Sequence, residues 1–201
     1  MRMMVAATAA MMVLATTADA QQANGRPAGD FRLTDADGKP ASLSDYRGRM
    51  VVLEWNNPGC AFVQKHYGSG NMQRTQAAAK AAGAAWLTIN SGGPGKQGHM
   101  TGPEAKAFVA AQKAQPTRYL LDPAGRVGRG YAAKTTPHMY VIDGNGVLRY
   151  QGAIDDKPTA AQGDIAAARN HVIAALSEVK AGKPVSVAET RPYGCSVKYA
   201  D

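Results

Sequence analysis

Two sulfurs carry the reactive chemistry available to this chain. Of its 201 residues only Cys60 and Cys195 are cysteine. Cys60 ends the run Val51-Val52-Leu53-Glu54-Trp55-Asn56-Asn57-Pro58-Gly59-Cys60, in which a largely apolar strand meets a Pro-Gly turn. A helix can begin at that cysteine. A helix N-terminus offers unpaired N–H groups and a partial positive charge, and both favour a thiolate over a thiol. A thiolate attacks a peroxide oxygen to become a sulfenic acid, and a second thiol then condenses with it to a disulfide. Cys195 is the other thiol within the chain. Two readings stay open. In one, Cys60 is a nucleophile that Cys195 resolves. In the other, the two form a permanent bridge that adds roughly 3–5 kcal/mol of stability and silences the nucleophile.

Other polar side chains offer weaker chemistry. Lys65 and His66 follow Cys60 by five and six positions, too far along a helix to share its first turn, and are expected on a solvated surface. His138 follows Pro137 and is either near Cys60 or a core-edge histidine paired to backbone. Cys60, Cys195, His66, His138 and Met139 together could suit copper(I), but no Cys-x-x-Cys, Met-x-x-Met or clustered histidines support a metal site. The glycine-rich segment Ser91–Gly98 lacks the Gly-Lys-Ser/Thr ending of a phosphate-binding loop. It reads as a loop near the active-site end of a sheet.

These residues need elements to position them. Residues 1–20 read as a signal peptide. Arg2 is followed by an uncharged run from Val5 to Thr17 and by the small-x-small step Ala18-Asp19-Ala20. The run is short for a membrane span, so no stable membrane insertion is expected after cleavage. That places the mature chain in the periplasm or outside the cell, where disulfides persist. Lys and Arg number 23 against 15 Asp and Glu, a net charge of +8, but the basic residues are scattered, which argues against a nucleic-acid partner.

Residues 21–27 read as a flexible leader to a single domain, 28–201. Phe31–Thr34 and Ala41–Leu43 flank an Asp-Gly turn and suggest a hairpin. Met50–Trp55 is a buried strand. A helix should follow Cys60, with an interruption near Gly68-Ser69-Gly70, and stop at Gly83. Ala85–Ile89 is the next strand, and Thr101 to Glu104 forms a capping box opening a helix to about Lys113. Thr117–Leu121 is a short strand and Val127–Tyr131 a connecting segment. Met139–Ile142 and Val147–Tyr150 flank the turn Asp143-Gly144-Asn145-Gly146. Ile165–Lys180 reads as one helix with Ile165, Val172, Ile173, Leu176 and Val179 on its apolar stripe. Residues 184–201 form a tail. The alternation implies an α/β sandwich around a mixed sheet.

Two motifs in this order resemble the thioredoxin superfamily, in its redoxin branch (the alkyl hydroperoxide reductase and thiol-specific antioxidant, or peroxiredoxin-like, family). One is Trp55-Asn56-Asn57-Pro58-Gly59-Cys60-Ala61-Phe62. The other is Thr135-Thr136-Pro137-His138 before a strand, an Asp-Gly turn and another strand. The resemblance covers about residues 28–180. It implies a thioredoxin-like fold, a central mixed sheet flanked by helices, with the N-terminal hairpin and C-terminal tail as additions. It also implies a cis Pro137 beside the reactive cysteine.

The chain departs from the family at the site. Asn57 stands where a dithiol oxidoreductase has its first cysteine, and Leu53 and Asn57 replace the proline and threonine of the peroxiredoxin pattern. The tail segment Tyr193-Gly194-Cys195-Ser196-Val197-Lys198 is similar to the Gly-Cys-Ser-Ile-Lys ending of some redoxin-like proteins. The expected site is therefore Cys60 as nucleophile, Cys195 as resolving or disulfide partner, Asn57 and the Gly59–Cys60 backbone as local donors, and Pro137 as a wall. The expected function is thiol-based peroxide reduction or thiol–disulfide exchange. Its substrate is a peroxide or protein disulfide, its reductant a thiol protein, and it needs no cofactor. The alternatives are a non-catalytic module locked by a Cys60–Cys195 bridge, and a copper-handling protein.

Overall fold

The computed structural model describes residues 22–201. The signal-peptide reading lies outside them. Among the described residues no helix is long and apolar enough to cross a membrane.

The core is a seven-stranded mixed sheet of β1 (Arg32–Asp35), β2 (Pro40–Ser42), β3 (Val51–Trp55), β4 (Ala85–Asn90), β5 (Arg118–Leu121), β7 (His138–Ile142) and β8 (Leu148–Gly152), in the order β2-β1-β5-β4-β3-β7-β8. The central strands β3, β4 and β5 run parallel, and the flanking pairs are antiparallel. A second, two-stranded sheet joins β6 (Thr135–Thr136) to β9 (Cys195–Ser196).

Strand alternation divides the apolar residues between two faces. Leu53, Trp55, Leu87, Ile89, Tyr140 and Ile142 pack on one face with Phe31, Leu43 and Tyr131. Val52, Trp86, Met139, Val141 and Tyr150 pack on the other. Helices cover that second face: α1 (Ala61–Gly68), α2 (Asn71–Ala81) and α5 (His171–Lys180). Gly70, at φ +74°, separates α1 from α2 at the expected interruption. The capping box at Thr101 opens α3 (Gly102–Ala111) as read from sequence.

Several expectations need correction. Val127–Tyr131 is not a plain connection, because Arg126–Gly130 forms the short helix α4. The helix expected from Ile165 begins only at His171. Asn170 caps it by accepting the Ile173 N–H at 2.9 Å, and a separate 3-10 turn spans Gln162–Ala167. The stripe accordingly narrows to Val172, Ala175 and Leu176, while Ile173 is 36% exposed. The leader is not free: Gly25 N–H donates to Leu148 O at 2.8 Å, and Leu148 N–H to Arg26 O at 2.9 Å. The tail is likewise a strap. Thr190 N–H donates to Gln151 O and Gln151 N–H to Ala188 O, each at 3.1 Å, β9 pairs with β6, and the Tyr199 hydroxyl donates to Ala133 O at 2.7 Å.

Candidate active site

Cys60 is the N-cap of α1 and is completely buried. The turn before it is self-contained. Cys60 N–H donates to Asn57 O at 3.0 Å, and Gly59 N–H donates to Asn57 Oδ1 at 2.9 Å. The Asn57 amide nitrogen donates to Gln97 Oε1 at 2.9 Å. In the structure Asn57 and the Gly59–Cys60 backbone, expected as local donors, bond within the turn and tie it to the loop after β4.

That loop is held from below. Asn90 Nδ2 donates to Asn56 O at 3.1 Å and to Gly98 O at 2.8 Å. Asn56 in turn donates to Glu54 Oε1 at 3.1 Å. Glu54 is fully buried and also accepts from the Tyr67 hydroxyl (2.8 Å), Trp86 Nε1 (2.9 Å) and the Thr88 hydroxyl (3.0 Å). Burial pushes its carboxyl up, and these donors offset only part of the rise.

Opposite the turn, the Thr136–Pro137 peptide is cis, as the resemblance implied. It presents the Thr136 carbonyl, which the Cys60 thiol meets at 3.0 Å. Strand β9 lies antiparallel along β6 with Cys195 directly opposite Thr136. The Cys195 N–H donates to the Cys60 sulfur across 3.4 Å. The two cysteines are not bonded to each other in the structure. Burial alone would raise the Cys60 thiol. The Cys195 thiol and the Thr136 side chain, with smaller contributions from the N–H groups of Val63 and Cys195, outweigh it and bring Cys60 below the ordinary cysteine value. Cys195 moves the other way, raised by burial and by its role as donor to Cys60. The two sulfurs are thus unequal: one suited to ionise, the other to hold its proton.

Gly194 makes this approach possible. A Cβ there would stand 2.9 Å from the Thr136 carbonyl carbon and closer still to its oxygen, and the residue adopts φ +133°. Gly194→Ala is expected to unseat the tail from β6. In the reduced protein, alkylation of Cys195 by a maleimide should accelerate about tenfold or more, consistent with loss of a locally closed state. An unchanged rate would refute this role for Gly194.

The remaining candidates sit differently. His138 lies on the opposite face from Cys60, beside Tyr140, with Nδ1 3.3 Å from Lys134 N and 3.2 Å from the Tyr140 hydroxyl. It is the core-edge histidine paired to backbone. Lys65 and His66 are not solvated but buried, at 1% and 0% exposure. Of the side chains weighed for copper, Cys60, Cys195 and Met139 share one apolar cluster, and the two histidines are engaged elsewhere. His138 faces away, His66 is bonded on both ring nitrogens by Tyr193 and Asn71, and among the described residues no three His, Cys, Asp or Glu side chains form a group that could hold a metal ion. Sequence reasoning missed the Thr136 carbonyl, Gly194 and Tyr193. The only available signal was the Tyr193-Gly194-Cys195 order itself.

Known proteins share this architecture. No curated protein matches the chain. A hypothetical protein from Sinorhizobium meliloti is 24% identical, with 89% of this chain and 95% of that one covered at a TM-score of 0.73, a likeness of fold. A putative thiol:disulfide interchange protein DsbE from Chlorobium tepidum is 29% identical over 65% of this chain and 85% of its own, with a TM-score of 0.54. Peroxidoxin BcpB from Mycobacterium tuberculosis is 18% identical over 78% and 97%, with a TM-score of 0.53. The helix-flanked mixed sheet is the thioredoxin-like fold. The model described as AhpC/TSA family matches residues 24–151. That span takes in most of the sheet, the Cys60 turn and the cis-proline, and the chain belongs to the AhpC/TSA family.

Proposed function

We propose that this protein is an exported thiol redox enzyme that reduces a peroxide through Cys60 and Cys195. The observation that carries the reading is the placement of Cys195 against the Cys60 sulfur, with Cys60 shifted toward the thiolate and Cys195 away from it. The Cys60 thiolate attacks one peroxide oxygen. The O–O bond breaks, and water or an alcohol leaves after taking a proton. The Cys195 sulfur then attacks the sulfenic sulfur, the S–O bond breaks, and water leaves as the disulfide forms. A partner dithiol returns two electrons by exchange and is itself oxidised to a disulfide.

The burial of Cys60 favours a small oxidant over a protein disulfide in the first step. Thiol–disulfide exchange is the second reading, supported by the 29% identity to the interchange protein. Export, to the periplasm or beyond the cell, rests on the N-terminal sequence.

Cys195→Ser protein given one equivalent of hydrogen peroxide should accumulate a sulfenic acid at Cys60, trapped by dimedone and located by mass spectrometry. Cys60→Ser should give no adduct and no peroxide consumption above background. A Cys195→Ser protein that leaves peroxide untouched would remove the peroxidase reading. If that variant instead formed a mixed disulfide with an oxidised dithiol substrate, exchange would take its place.

A further inference from the structure

Lys65, His66, Asp155 and Tyr193 form a polar knot under the tail that the redox steps do not use. Lys65 and His66 come from α1, Asp155 follows β8, and Tyr193 precedes Cys195 by two residues. The side chains of Lys65 and His66 are 0% exposed and that of Asp155 is 1% exposed. The Tyr193 hydroxyl donates to Asp155 Oδ1, and its oxygen lies 3.1 Å from His66 Nε2. The Asn71 amide nitrogen lies 2.8 Å from His66 Nδ1. An amide N–H can only donate, so Nδ1 is the acceptor and Nε2 carries the hydrogen. His66 therefore donates to the Tyr193 oxygen while Tyr193 donates to Asp155. The second carboxylate oxygen has no hydrogen bond and faces the Lys65 ammonium at 3.9 Å. Lys65 also donates to Lys157 O at 2.7 Å and sits 5.6 Å from the centre of the Tyr193 ring, which meets Phe62 edge-on at 5.7 Å.

The knot is complete only with the tail in place. Without Tyr193, the buried His66 ring N–H loses its partner and Asp155 Oδ1 keeps only the Lys157 N–H, at 3.0 Å; an unpaired buried donor is costly away from water. The placement along the chain matters too. Tyr193 and Cys195 pack against the same cluster as Cys60 and are joined by one residue, so fixing Tyr193 restricts where Cys195 can lie. Gly194 between them is a hinge without a side chain, and β9 is only two residues long. Pairing with β6 holds the far side of that hinge.

We propose that Tyr193 is a positioning residue, and that its latch to Asp155 and His66 keeps Cys195 on the Cys60 sulfur for the resolving step. This deepens the reading of Cys60 and Cys195 as a redox pair and rests on it.

The test is Tyr193→Phe, which keeps the ring against Phe62 and Lys65 and removes only the hydroxyl. Two quantities are read in the full chain. After a hydrogen peroxide pulse, quenched samples give the rate of Cys60–Cys195 closure relative to the rate of sulfenic acid formation. In a glutathione redox buffer, without peroxide, the equilibrium gives the effective molarity of Cys195 toward Cys60. Both should fall about tenfold or more, because effective molarity tracks how well the geometry is held. Asp155→Asn, which retains an oxygen acceptor for Tyr193, should fall less than Asp155→Ala. Wild-type closure and effective molarity in Tyr193→Phe would overturn the latch. If peroxide forms no sulfenic acid in either protein while the effective molarity still drops, the peroxide reading fails and the latch stands. If no Cys60–Cys195 disulfide forms in the wild type under either condition, both fall.

Discussion

Glu54→Ala should lower stability by about 4 kcal/mol, the largest effect expected of any single core substitution near the site. Four donors converge on this carboxylate: Asn56, Tyr67, Trp86 and Thr88. Each loses its acceptor when the side chain is cut back, and a buried donor left unpaired costs roughly 1–3 kcal/mol. The four donors share one carboxylate and belong to one network, so the four losses do not simply add. For a domain of this size the change corresponds to a melting-point drop of roughly 8–16 °C. Glu54→Gln should fall in between, since it keeps one oxygen acceptor and turns an N–H₂ toward donors. Because Asn56 connects Glu54 to the loop at Gly98, alanine should also loosen the turn before Cys60. Thermal unfolding followed by circular dichroism checks this. A midpoint within two or so degrees of wild type would mean the network carries little net stability.

The second large effect is loss of stability in mild acid. His66 is held down to about 4, first by burial, with the Lys65 charge adding to it and Asp155 opposing. His138 is held down to about 3 by burial and then by Lys134. Both are neutral bases in the fold, whereas an unfolded histidine takes up a proton near pH 6.5. Between those values the unfolded chain binds more protons, so stability rises with pH. Their contribution is complete above about pH 6.5 and is lost as pH falls toward 4 and then 3. The combined loss is on the order of several kcal/mol. Urea unfolding at pH 7.5, 6, 5 and 4.5 should show a falling midpoint, and His138→Asn should flatten the curve. A midpoint independent of pH over that range would contradict the burial of both imidazoles.

The contrast between what was readable and what was not follows from the range of the interactions. The strand into the Cys60 turn, the capping box at Thr101 and the hairpin turn at Asp143 are local, so spacing and residue type reveal them. The cis Pro137 followed from family resemblance and is present. Lys65 and His66 misled because helix spacing says which residues share a face, not whether that face is covered. Their cover comes from Asp155 and Tyr193, whose positions are remote in sequence. Asn57 was placed in the correct turn, but its tie to a distant loop was not legible. Its amide meets Gln97, 40 positions away in a loop with no periodic signal. The boundary at His171 turned on a single side chain, since the Asn170 cap ends the preceding extended stretch where composition alone suggested continuous helix.

The way the leader and strap flank β8 has a consequence for how copies of this protein behave at high concentration. An open outer strand offers a row of N–H and C=O groups on which another chain can add, the usual start of edge-to-edge aggregation. Here β8 offers little such row. Its Leu148 end is bonded by Gly25 and Arg26, and its Gln151 end by Ala188 and Thr190. At the opposite margin β2 is three residues long, opens with a proline that has no N–H, and turns directly into a 3-10 helix at Leu43. The sheet is thereby closed to self-templating at both margins, and the segments that look like loose ends in the sequence are what guard one of them.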